Sequence, residues 1–110
     1  MVRRFLLNAA IMTTPGVYEY RLLTPDEARA WAQAGEFRSF VGYPKLARLL
    51  EVFFNREVPL SRERIEYRPG DEALVARLRY RVGDPSSKRE IEPSLSDLEF
   101  GLIRYVGGTE

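Results

Sequence analysis

The stretch Arg3 to Met12 narrows the possible folds more than any other part of the chain. Apart from its two leading arginines and Asn8 it is an unbroken apolar run. A run of this kind is expected for a central β-strand covered on both faces. It is too short to cross a bilayer. The two arginines ahead of it give a faint likeness to a signal peptide, but Asn8 and the strand-like segment that follows favour a buried strand.

The remaining segments are consistent with a layered sheet. Thr13 to Gly16 is expected to turn, and Val17 to Leu23 alternates well enough for a second strand. Thr24-Pro25-Asp26-Glu27 is a helix start: Thr24 caps, Pro25 suits the first position and Glu27 completes a capping box. That helix is expected to reach about Ala34, burying Ala28, Trp31 and Ala32, with Gly35 turning left-handed to stop it. Phe37 to Val41 reads as a short extended piece. A second helix is expected from Pro44 to Phe54, because Leu46, Leu49, Leu50, Phe53 and Phe54 fall on one stripe, with Asn55 as its stop. Arg62 to Arg68 alternates with period two and reads as a strand. Pro69-Gly70 is a turn. In the strand Ala73 to Val82, Leu74, Ala76, Leu78, Tyr80 and Val82 face one way and Arg77, Arg79 and Arg81 the other. Gly83 to Ser94 reads as a loop, Ser94 to Glu99 as a helical turn with Asp97 completing a cap, and Phe100 to Val106 as a last strand. The expected fold is therefore α+β: one domain over residues 1–110, a mixed sheet with two main helices on one face. At this length a dimer is a plausible support for a modest core.

Composition removes whole classes of chemistry. With no cysteine and no histidine among 110 residues, thiolate zinc sites, disulfides and imidazole acid–base catalysis are excluded. The lack of disulfides in so small a chain leans towards the cytoplasm. A net charge of +1 from 17 basic and 16 acidic residues argues against a long nucleic acid as partner. No membrane partner, metal or cofactor is indicated, and no glycine-rich nucleotide fingerprint is present.

Three features remain as candidate sites. Asn8 is polar within an apolar run, so it either bonds a nearby turn or sits where the strand opens into a cleft. Gly42-Tyr43-Pro44-Lys45 starts the second helix with no capping Ser, Thr, Asp or Asn. No acid competes for its free N–H groups before Glu51, which is what an anion site looks like. The plainer alternative is an ordinary helix start with an aromatic packed over it. The third feature is the arginine ridge. Arg77 and Arg79 are assigned to a solvated face, paired with Glu63 or Glu66. Arg81, at the strand's end and followed by Asp84, is the better candidate for a phosphate.

Three segments carry a likeness to a known family. FLLNAAIMTTPGVYEYRLLTPDEARAW, FRSFVGYPKLARLLEVFFNREVPLSRERIEYRPGDEALVARLRYRV and DLEFGLIRY together resemble the small ring nucleases, which include viral type III anti-CRISPR proteins. The resemblance covers nearly the whole chain. It implies a homodimer that clasps cyclic oligoadenylate, chiefly cyclic tetra-adenylate, and opens it without a metal. In that chemistry a ribose 2′-hydroxyl attacks the adjacent phosphorus and damps type III CRISPR signalling. It further implies ligand contacts at Asn8, Ala9, Ile11, Gly42 and Lys45, with Arg81 stabilising the cleaved phosphate and Asp84 standing where a glutamate is usual. The departure is Tyr43, where the family usually has a histidine acting as general acid. A phenol has a reference pKa of about 10 against about 6.5 for an imidazole, so it is a poorly matched acid at neutral pH. The expected function is slow hydrolysis or sequestration of the ring. The alternatives are a non-catalytic protein-interaction module on the same scaffold, and a ring nuclease for another cyclic nucleotide.

Overall fold

Apolar residues that alternate along strands and recur every three to four positions along helices can be buried together only if the helices lie on a sheet. The computed structural model, which describes residues 2–79 and 94–108, has that arrangement. Its elements are strand β1 (Arg4–Leu7), β2 (Val17–Leu23), helix α1 (Pro25–Gln33), β3 (Arg38–Ser39), α2 (Pro44–Phe54), β4 (Glu72–Leu78), a 3₁₀ turn (Leu95–Asp97) and β5 (Leu98–Gly107). The five strands form one mixed sheet in the order β2-β5-β4-β1-β3. β1 runs parallel to both β3 and β4, while β5 is antiparallel to β4 and β2. This is an α+β fold in a single domain.

β1 is covered on both faces, as its unbroken apolar run predicts. Leu6 joins the helix-side core with Ala28, Ala32, Leu46, Ala47, Leu50, Phe54, Leu74, Ala76 and Phe100. Phe5 and Leu7 point the other way, into a second core with Phe40, Ile65, Tyr67, Ala73, Val75, Ile103 and Tyr105. Each fully buried Leu or Phe contributes about 1.5–3 kcal/mol by leaving water.

The second face is covered by irregular chain. Residues 62–68 are not a strand: Ile65 and Tyr67 are buried and alternate with exposed neighbours, but the segment pairs with no strand. It lies flat on the sheet, which uses the period of two without using the ladder. Its donors go elsewhere, Tyr67 N–H to Thr14 Oγ1 at 3.0 Å and Arg68 N–H to the Asp71 carboxylate at 2.6 Å. Buried Asp71 is gripped by Arg3, whose Nε and Nη2 reach its two oxygens at 3.1 and 2.6 Å. This bidentate contact raises the Arg3 pKa. Three phenols hook the loop that leaves β1. Tyr67 donates to Ile11 O at 2.6 Å, Tyr18 to Thr14 O at 2.5 Å and Tyr105 to Pro15 O at 2.6 Å. Burial raises the Tyr18 and Tyr67 pKa values, and for Tyr67 the neighbouring Tyr18 and Asp71 add to the shift.

The expected β2, both helix spans, the Asn55 stop (φ 53°) and the Gly70 turn (φ 92°) are observed. Gly35 is not left-handed; Ala34 ends α1 in right-handed geometry. The exposed carbonyls are met by guanidinium groups, Arg4 on Trp31 O and Arg56 on Ala32 O and Gly35 O. The first strand is shorter than the apolar run, because the chain bends at Asn8. Among the described residues no helix is long and apolar enough to cross a membrane.

Candidate functional site

In sheets with parallel strands, ligands settle outside the strands' carboxyl ends. Here β1, β3 and β4 end on the same side of the molecule. Just past those ends lies a cleft of about 380 Å³, lined by Asn8, Gly42, Tyr43, Pro44, Leu46, Arg62, Arg77 and Leu78.

Each wall follows from local structure. Asn8 is the first residue past β1, half-buried, and its amide makes no hydrogen bond among the described residues. Gly42 and Tyr43 join the end of the β3 segment to α2. Tyr43 takes the cap position of α2 in extended geometry (φ −110°, ψ 113°), with no side-chain cap and no acid in the helix's first turn. Its ring also packs against the helix-side core. Gly42 allows close approach, since a Cβ there would stand 3.2 Å from Arg62 Cγ. Arg62 is brought to this point by a parallel bridge between Val41 and Leu60, with Ser61 N–H donating to Val41 O at 3.0 Å.

The structure therefore brings together Asn8, Gly42 and Tyr43. Lys45 is in the first turn of α2, between two lining residues, but does not itself line the cleft. Ala9 is exposed and Ile11 packs on the second core, so neither lines it. Arg81 and Asp84 lie outside the described residues, as do Tyr80 and Val82 of the expected strand. Arg62 is the residue that sequence reasoning missed; nothing local marks it, because only the Val41–Leu60 bridge sets it beside Gly42. Arg77 was assigned to a solvated, paired face. It is paired, but with Glu99 of β5 at 3.2 Å, whereas Glu63 is taken by Arg38. Arg77 also lines the cleft.

Chemically, the cleft presents two guanidinium groups, a phenol, an amide and the free N–H groups of a helix start. No carboxylate is among its described lining residues. Such a set suits a phosphate-bearing ligand with flat apolar parts. Among the described residues no cluster of acids suited to a metal ion is present.

Comparison with known proteins agrees with this architecture. The uncharacterized protein YddF of Bacillus subtilis (strain 168) is 26% identical over 90 residues, spanning 78% of this chain and 83% of that protein. B116 of Sulfolobus turreted icosahedral virus has the same fold, with a TM-score of 0.72 at 15% identity over 94% of this chain and 99% of that one. The STIV B116-like family model matches residues 4–100, and the chain belongs to that family.

Proposed function

We propose that this protein binds cyclic oligoadenylate, cyclic tetra-adenylate in the first instance, as a homodimer, and that it sequesters the ring or opens it slowly. One observation carries the reading. Asn8, Gly42 and Tyr43, far apart in sequence, converge with Arg62 and Arg77 on a single cleft without a lining carboxylate among the described residues. A closed ring of phosphodiesters needs such a cradle, and two clefts in a dimer would offer it on both sides.

In the proposed reaction the 2′-hydroxyl of one ribose gives up its proton to solvent as it attacks the neighbouring phosphorus. The P–O5′ bond breaks, leaving a 2′,3′-cyclic phosphate, and the departing O5′ takes a proton. Arginines stabilise the charge that builds on the phosphoryl oxygens, Arg81 among them. The N–H groups that open α2 hold the phosphate in place. Tyr43 is the available donor to O5′, and a phenol in general is a poorer proton donor than an imidazole, which makes this step slow. Its ring can also stack on an adenine.

The test is incubation of radiolabelled cyclic tetra-adenylate with the protein, followed by native and denaturing gels. A shifted, intact ring identifies a sponge, and a linear product identifies an enzyme. Absence of both removes the proposal for this ligand.

A further inference from the structure

Arg77 belongs to two neighbourhoods at once. On β4 it stands opposite Glu99 of β5 in the antiparallel register, and its Nη2 donates to Glu99 Oε1 at 3.2 Å. It also lines the cleft with Asn8, Tyr43 and Arg62. The pair is a poor structural staple. Its side chains are 53% and 29% exposed, it is made through one N–H, and exposed pairs of this kind add little to stability. Arg62, on the same cleft, has no carboxylate partner among the described residues. Of these two cations, then, Arg77 carries a built-in rival.

We propose that Arg77 contacts a ligand phosphate and that Glu99 restrains this contact, limiting affinity and hastening release. A guanidinium offers five N–H donors in a planar fork, and a phosphate is best held by two parallel ones. Glu99 occupies one donor of that fork. The phosphate must therefore compete with the carboxylate for Arg77. Glu99 acts on the ligand only through Arg77, so it is a positioning residue.

This inference rests on the ring-binding reading. The experiment is calorimetric titration of the full chain with cyclic tetra-adenylate, with stopped-flow displacement for the off-rate, for the wild type, Glu99→Gln, Arg77→Gln, Arg77→Lys and the double variant, with thermal unfolding to confirm that each folds. Glu99→Gln is expected to bind about two- to fivefold tighter, in line with an exposed pair, with the gain in a slower off-rate. Arg77→Gln is expected to bind about tenfold weaker, and Arg77→Lys to fall between it and the wild type. The double variant is expected to match Arg77→Gln, because the two effects share one route. An unmoved or weaker Glu99→Gln, an unmoved Arg77→Gln, or a double variant tighter than Arg77→Gln overturns the inference while ring binding stands. A wild type that binds no ring overturns the ring-binding reading, and this inference with it.

Discussion

The two helices of this protein begin in opposite ways. At α1, the Thr24 hydroxyl accepts from Glu27 N–H at 3.1 Å and the Glu27 carboxylate accepts from Thr24 N–H at 3.0 Å, with Asp26 beside them. Donors and positive dipole are answered from within the chain. At α2, Tyr43 supplies no cap and the first turn holds no acid. The first helix is finished as a structural element. The second leaves its donors facing a cleft with two arginines on its walls. Within one chain, then, one helix start is closed by its own side chains and the other is left open beside a cleft.

That contrast can be tested from both ends. The largest effect is expected from Tyr43→His, which puts a well-matched acid at the open start. Ring cleavage should rise on the order of 10²-fold, read as linear product over time; unchanged cleavage would assign the defect to geometry and not acidity. Next is Tyr43→Asp, which closes the second start as the first is closed. Ring binding should weaken roughly tenfold to a hundredfold, the scale of a lost charge-assisted hydrogen bond, while stability rises by about 0.5 kcal/mol. Tight binding by this variant would break the comparison. Thr24→Ala should do the reverse, costing about 1 kcal/mol, or about 4 °C in the unfolding midpoint, with ring affinity untouched. The smallest effect concerns pH. The Thr24 backbone and hydroxyl hold the Glu27 carboxyl below its ordinary value, so its contribution is present above the usual glutamate pKa and fades as pH falls through the lowered one. The stability gap between wild type and Glu27→Gln should shrink to nothing in acid, as thermal melts across a pH series will show.

Sequence reveals features in proportion to how local their causes are. The α1 cap, the Asn55 stop and the Gly70 turn each depend on two to four neighbouring residues, and all were legible. Burial of Ile65 and Tyr67 was legible too, because alternation records which side is apolar. It does not record whether the backbone bonds a strand or, as here, Thr14 and Asp71 side chains. Gly35 misled because Arg4 and Arg56, distant in sequence, satisfy the end of α1 in place of a left-handed glycine. For the site, Asn8 and Gly42-Tyr43 stood out as local anomalies: a polar residue in an apolar run and an uncapped helix. Arg62 carried no such mark, since its position is set by a bridge between Val41 and Leu60. Glu99 as the partner of Arg77 required the β4–β5 register, which alternation alone does not fix.

The phenol hooks on the Ile11–Pro15 loop have a consequence for alkaline solution. A hydroxyl that donates to a carbonyl cannot surrender its proton without losing its partner, and burial already resists that loss at Tyr18 and Tyr67. An ultraviolet titration of the six tyrosines should therefore show these two ionising late, after ordinary phenols have turned to phenolate. Their delayed ionisation should coincide with release of the strap that lies across the helix-free side, so that absorbance and unfolding rise as one event.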